Sequence, residues 1–289
     1  MPIIEPVIRP PSEADSFLLQ ITTGCSSNYC TFCGAYYKKP FTVKNQQEIS
    51  GDIKQWAENY PQTRRVFLLD GDALVVSNHK LIPVLEELKE SFPDLARISS
   101  YANGYNITQR TDDELKELYD RKLKLIYLGL ESGSQEILDS CRKKSTRDEM
   151  ITAVQRAQNI GIKASVIILL GLGGRKNFKE HIDQTIIALN KMQPRFLSFL
   201  SLMLIPKTDL YKCAEKGEFD ALNPDELLDQ AYQIIKGLEL EKTIFRTDHA
   251  SNYLALEGRF PSDKKYLLQI IEKARAGEIP LKPEIFRGL

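Results

Sequence analysis

Residues 164–174 read Ala-Ser-Val-Ile-Ile-Leu-Leu-Gly-Leu-Gly-Gly, a nearly unbroken apolar run from Ala164 to Leu170 closed by Gly171, Gly173 and Gly174. A strand with one face in water alternates apolar and polar residues. This one does not, so both of its faces are covered, as in a parallel sheet flanked by helices. Further strands are read at Phe17–Thr22, Val66–Leu69, Ala96–Tyr101, Leu125–Leu130 and Phe196–Leu204. Between these runs, residues 46–59, 78–91, 112–121, 134–141, 147–160 and 177–191 place apolar side chains three and four apart, the period of amphipathic helices. Thr111 and Glu114 have the spacing of a capping box, and Gly161 stands where a left-handed helix cap belongs.

Six strands alternating with six helices imply parallel βαβ units. The expected fold is α/β, a partial (βα)6 TIM-like barrel, with functional groups at the C-terminal ends of the strands. Residues 1–14 read as an N-terminal arm and 15–215 as the barrel core. Residues 216–289 read as a helical C-terminal extension packed on the barrel. Within it, helices are expected over 223–241 and 262–275, with a loop from Phe245 to Pro261 between them.

Composition narrows the function classes. The 289 residues carry 39 Lys plus Arg and 39 Asp plus Glu, a net charge of zero, which disfavours a nucleic-acid substrate. No apolar run reaches the roughly 18 residues of a membrane span. The N-terminus lacks a basic segment followed by an apolar one, so a cytoplasmic, reducing location is expected.

The five cysteines are Cys25, Cys30, Cys33, Cys141 and Cys213, three of them within nine residues. That crowding is a poor disulfide framework and a good metal loop. Three thiolates on one short loop can hold three corners of a cubane cluster and leave the fourth iron open to a ligand. Zinc is the plain alternative, yet His79, His181 and His249 have no paired ligand spacing. Cys141 and Cys213 read as small packing residues.

The loop Gly24-Cys25-Ser-Ser-Asn-Tyr-Cys30-Thr-Phe-Cys33 resembles the cluster loop of the radical S-adenosylmethionine (SAM) superfamily, with four residues in the first gap where three are commonest. The resemblance implies a 4Fe–4S cluster on Cys25, Cys30 and Cys33, with SAM as the second cofactor. It implies reductive cleavage of SAM to a 5′-deoxyadenosyl radical, which abstracts hydrogen from an organic substrate. A one-electron reductant such as flavodoxin or ferredoxin follows as a partner.

Other strand ends carry matching residues. Asp70-Gly71-Asp72 resembles the Gly-Gly-Glu motif of that family, with Gly71 and Asp72 toward the SAM amino group. Gly129-Leu-Glu131-Ser132-Gly133-Ser134 resembles the branch holding oxygen-independent coproporphyrinogen oxidase, the elongator catalytic subunit and the methylthiotransferases. There the matching acid, Glu131 here, lies near SAM, and Ser132 accompanies it. Phe32, Leu170 and Gly171 are candidates for the adenine pocket. Lys163 and Arg147 are possible partners for the SAM carboxylate. Pro206, Thr208, Leu210 and Tyr211 match the same branch without implying a catalytic role. The loop after Phe245 offers Arg246, His249 and Asn252 to a substrate. Alternative functions are radical methyl or sulfur transfer, or a non-catalytic iron–sulfur electron-transfer module.

Overall fold

The structure, a computed structural model, describes residues 3–288. In chain order the elements begin with β1 (Phe17–Leu19), β2 (Thr22–Thr23), β3 (Thr42–Val43), α1 (Gln46–Asn59), β4 (Arg65–Leu68), α2 (Asn78–Ser91) and β5 (Arg97–Ala102). They continue with α3 (Gly104–Thr108), α4 (Asp112–Asp120), β6 (Leu123–Glu131), α5 (Gln135–Ser140), α6 (Arg147–Ile160), β7 (Lys163–Leu170) and α7 (Phe178–Met192). Last come β8 (Phe196–Ser201), α8 (Asp209–Glu215), α9 (Pro224–Gly237), β9 (Ile244–Arg246), β10 (Glu257–Arg259) and α10 (Lys264–Arg275).

Two compact units share these elements. One takes the chain up to Tyr29, Ala35–Leu128 and Arg156–Ala164; the other takes Cys30–Gly34, Gly129–Gln155 and everything from Ser165. In the first, β1, β4, β5 and β6 pair in that order, all parallel, with Phe17 beside Val66 and Val66 beside Ile98. The fold is thus α/β with a mostly parallel sheet, and neither unit closes on itself as a barrel. Helices cover the strands because their apolar stripes need a partner. Ile49 and Ile53 of α1 are buried, and Trp56 stacks on Phe17 with ring centroids 4.6 Å apart. The Asn45–Glu48 and Thr111–Glu114 capping boxes both form. Gly161 takes φ 106°, and a Cβ there would lie 2.9 Å from the Tyr119 ring.

The described residues before β1 are tied into this first unit. Glu13 is fully buried, accepting from Tyr127 Oη at 2.6 Å and from Arg97 at 2.8 Å. Lys39 Nζ donates to the carbonyls of Ile4 and Pro6.

In the second unit β7, β8 and β9 are parallel, and β10 closes antiparallel on β9. Three findings differ from the sequence expectation. Strand β8 stops at Ser201 rather than Leu204; Leu202 N still bonds Leu170 O, but Pro206 has no N–H with which to carry a ladder onward. Helix α9 ends at Gly237 instead of running to 241; a Cβ at Gly237 would meet Ile186 Cδ1 at 2.4 Å, so the glycine serves close packing and weakens the helix there. The stretch from Phe245 to Pro261 is framed by β9 and β10, each only three residues long and too short for an alternating pattern to announce.

Candidate functional site

In the first unit the end of β4 and the start of the cysteine loop are built against each other. Asp70 is fully buried with φ 70°. Its Oδ2 accepts Gly24 N at 3.0 Å and Gln20 Nε2 at 2.8 Å, and Lys39 Nζ lies 3.0 Å away. Burial raises the Asp70 carboxyl above its ordinary range, while Lys39 and Gln20 pull it back. Gly71 N donates to Gly24 O at 3.1 Å. A Cβ on Gly71 would stand 2.7 Å from Cys25 Cβ, 2.9 Å from Cys25 Sγ and 2.9 Å from the Tyr36 ring. The glycine is therefore what leaves room for the Cys25 thiol. Asp72 is also fully buried, and its Oδ2 accepts Ser26 Oγ and Asn103 Nδ2, each at 2.6 Å, together with Asn106 Nδ2. The residue after Cys25 is thereby pinned to the start of α3.

The remaining cysteines lie in the second unit. Cys33 N bonds Cys30 O, Thr31 N bonds Cys141 O at 3.0 Å, and Leu210 N bonds Thr31 O at 2.9 Å. A Cβ on Gly34 would meet Ile205 at 2.6 Å. Phe32 packs against the cluster of Ile137, Cys141, Leu169, Leu172 and Leu210. Cys141 is thus a buried packing residue whose carbonyl holds the loop. Burial pushes the Cys30 thiol up to about 11, Lys143 opposes this, and Cys33 and Glu131 add to it. Such a thiol is neutral at pH 7 unless a cation draws off its proton, as a coordinating metal does.

Strand β6 delivers Glu131 at φ 65°, a strained position for a residue with a side chain. Its Oε1 lies 3.0 Å from Lys143 Nζ. A Cβ on Gly129 would fall 2.0 Å from that same Oε1, so the carboxylate lies across the glycine two residues earlier on the same strand face. The following turn is clamped to α7. Ser132 Oγ is 2.9 Å from His181 Nδ1, Gly133 N donates to Thr185 Oγ1 at 3.0 Å, and Ser134 Oγ donates to Glu180 at 3.0 Å. Ser132 and His181 are both fully buried. With no room for hydration, the imidazole is held neutral, its pKa lowered to about 4. At the end of β7, Leu170 is buried and Gly171 takes φ 86°, its N–H donating to Gln230 Oε1 of α9 at 2.7 Å.

Among the residues expected to meet substrate, Arg246 pairs with Glu257 at 2.9 Å on the strand ladder. Asn252 is buried and fully used: Nδ2 donates to Phe199 O and Thr247 O, and Oδ1 accepts Ser201 Oγ at the end of β8. His249 Nδ1 lies 2.9 Å from Ser251 Oγ, and burial lowers its pKa. Lys163 is exposed at the first residue of β7, seven residues and roughly 23 Å from its C-terminal end. Arg147 is engaged with Gln184 and Asp148. The cation that does face Glu131 is Lys143, hidden in the sequence inside the basic run Arg142-Lys143-Lys144.

The donor chemistry fits a thiolate-ligated iron–sulfur group. Gly71 clears the Cys25 sulfur, and Cys30 needs a cation to ionise. The described histidines are engaged elsewhere: His181 with Ser132, and His249 with Ser251, while His79 lines a surface groove on α2. Among the described residues, no three His, Cys, Asp or Glu side chains already stand in a metal-holding group. Ligand assembly on binding is usual for metal loops.

A family profile, the Radical SAM superfamily, matches residues 19–186, more than half of the chain. The heme chaperone HemW of Bacillus subtilis (strain 168) is 22% identical over 191 residues, covering 66% of this chain and 49% of that protein. Coproporphyrinogen III oxidase (HemN) from Escherichia coli superposes with a TM-score of 0.56 at 16% identity, over 76% of this chain and 51% of that one. Methylornithine synthase (PylB) superposes with a TM-score of 0.55 at 16% identity, over 91% and 84%. The chain spans about half the length of HemW.

Proposed function

Because the chain belongs to the radical SAM superfamily, whose enzymes use a 4Fe–4S cluster and SAM, we propose that Cys25, Cys30 and Cys33 are the cluster ligands. The reading is carried by Gly71, which stands where any side chain would strike the Cys25 sulfur. When bound, the cluster and SAM supply reductive C5′–S cleavage and hydrogen-atom abstraction from an organic substrate.

The chain's own residues hold and shield that chemistry. Asp70 and Asp72 fix the loop on either side of Cys25 through Gly24 and Ser26. Lys143 and Glu131 offer opposite charges side by side. They suit the carboxylate of an amino acid and the hydroxyls or ammonium group carried with it. Ser132 serves the turn beneath Glu131 through His181. Phe32, Leu170 and Gly171 give an apolar wall for adenine. His249 and the loop pinned by Asn252 at the end of β8 face a substrate. Arg246, held by Glu257, orders the strand that feeds this loop.

Enzymes of this superfamily act on a substrate and need a reductant; we assign a flavodoxin or ferredoxin to that role here. Residues 15–215 form the radical SAM core in this reading, with 216–289 as an extension covering it. Among the described residues, no helix is long and apolar enough to cross a membrane; a cytoplasmic setting suits an oxygen-sensitive cluster. Anaerobic reconstitution with iron and sulfide, then dithionite and SAM, tests the proposal. 5′-Deoxyadenosine is expected by chromatography, and its formation is expected to vanish in Cys30→Ala. A reducible cluster that never cleaves SAM would favour the electron-transfer alternative, and zinc in place of iron would refute the cluster.

A further inference from the structure

A groove of about 420 Å³ lies within the first unit, and the buried side chains of Ile21, Ile49, Val76 and Leu81 make it apolar inside. Its charge is of one sign. Lys44, His79 and Lys80 line it, and among the described residues no acidic side chain does. Lys44 is neutralised by Asp52, 2.6 Å away. Lys80 is exposed and makes no ion pair among the described residues, and His79 is exposed beside it. Helix α2 begins in this wall with no acidic residue in its first turn, so no side chain there offsets its positive end.

Val43 carries the apolar surface from the groove onto the hairpin of β2 and β3, where Tyr37, Phe41 and Val43 are all exposed. Single exposed apolar side chains are ordinary; several on one hairpin beside an apolar groove mark a contact surface. That surface is tied to the cysteine loop. Ile21 precedes Cys25 by four residues, so their Cα atoms stand at most about 14 Å apart. Val76 follows Asp72 by four residues, and Asp72 accepts from Ser26, the neighbour of Cys25. Asn28 donates to the Tyr36 carbonyl at 2.8 Å, where the chain enters the hairpin.

Reductive cleavage of SAM draws an electron from outside the chain. The donor has to come close to the cysteine loop and then leave. Encounters of that kind bury little area and are guided by charge. The groove has what they need: nearness to Cys25, an apolar interior and cations at its edge. Its volume is at the low end for a pocket that encloses a small ligand, and its exposed walls suit side chains reaching in from a partner's surface. We infer that the groove and the Tyr37–Val43 hairpin are the docking surface for a protein electron carrier whose redox group is ringed by Asp and Glu. The inference rests on Cys25 as a cluster ligand and gives the reductant its place on the chain.

The test uses the full chain, reconstituted anaerobically, with reduced flavodoxin as an acidic donor and dithionite as a small-molecule control. Stopped-flow absorbance follows reduction of the cluster. With flavodoxin at low salt, Lys80→Glu and Val43→Glu are each expected to lower the second-order rate constant about tenfold, the scale of charge steering. The deficit of Lys80→Glu should shrink as salt rises. With dithionite both variants should match wild type. Lys273→Glu makes the same charge change on exposed α10 and should stay within about twofold of wild type with either donor. An unchanged flavodoxin rate in Lys80→Glu would overturn the inference, as would a wild-type cluster that dithionite reduces and flavodoxin does not. Should Lys80→Glu fail to fold, Val43→Glu decides by the same criterion. A wild-type dimer in sedimentation that these variants dissociate would give the face to a second copy and overturn the inference as well. Wild-type protein that assembles no iron–sulfur cluster would overturn the cluster reading itself, a result distinct from a slow flavodoxin step.

Discussion

Ser132 Oγ and His181 Nδ1 lie 2.9 Å apart with both residues fully buried, and that pair holds the turn that presents Glu131. Burial has lowered the His181 pKa to about 4, below the roughly 6.5 of an unfolded histidine. The unfolded chain therefore binds more protons between those values. The neutral imidazole's contribution is complete above pH 6.5 and is lost as pH falls toward 4. From pH 7 to pH 5 the penalty grows by about 2 kcal/mol. His181→Asn keeps a polar group near Nδ1 but cannot titrate. Its stability measured by urea unfolding is expected to fall less over that interval than that of wild type, and parallel curves would show that His181 is not neutral in the fold.

Gly71 tests the room left at Cys25. Gly71→Ala places a methyl 2.7 Å from Cys25 Cβ. Relief requires a shift of the cysteine loop, at about 1–3 kcal/mol for an overpacked site. The expected result is a lower melting temperature and a reconstituted iron and sulfide content below half that of wild type. Gly51→Ala is the control, since nothing lies within 4 Å of a Cβ there; it should load normally.

The strand ends that carry the candidate residues were legible in the sequence because apolar runs closed by glycines mark them. Most of the parallel strands and all six leading helices announce themselves through apolar runs and 3.6-residue spacing; β5, with Arg97, Ser99 and Ser100, is the more polar exception. The capping boxes mark helix starts to the residue, as at Thr111. The rest depends on approach in space. Lys143 looks like one more solvated lysine in a basic run until Glu131 is found 3.0 Å away. Gln230 reads as a polar position on an amphipathic helix until Gly171 is found beneath it. Strands β9 and β10 have three residues each, too few for periodicity to identify them. Asp70 carries its role in a tertiary contact with Gly24, 46 residues earlier in the chain.

Lys143 and Glu131 make the next prediction. Both side chains are mostly covered, 15% and 13% exposed, so the pair is poorly screened by solvent. Lys143→Met removes the cation while keeping the stem. SAM affinity is expected to fall by about 10- to 100-fold, the loss of one charge-assisted hydrogen bond. Lys143→Arg should recover part of it. Iron content is the internal check: if Lys143→Met loses the cluster as well as SAM, the residue supports Cys30 rather than binding the cofactor.

Asn252 and His249 separate scaffold from substrate contact on the loop beyond β9. Asn252 fills three hydrogen bonds with buried partners, to Phe199 O, Thr247 O and Ser201 Oγ. Asn252→Ala strands those groups away from water, and about 2–4 kcal/mol of stability should be lost. The melting temperature should fall accordingly, with SAM cleavage per folded molecule unchanged. Among the described residues the His249 imidazole bonds only Ser251, by side chain at 2.9 Å and backbone at 3.2 Å, so the ring is not needed to pin the loop. His249→Ala should keep stability within about 1 kcal/mol, since few partners are lost. If the loop lines the substrate site, this variant slows substrate turnover while uncoupled 5′-deoxyadenosine formation continues. Full turnover in His249→Ala, alongside the stability loss in Asn252→Ala, would make the loop a structural cover at the end of β8 and nothing more.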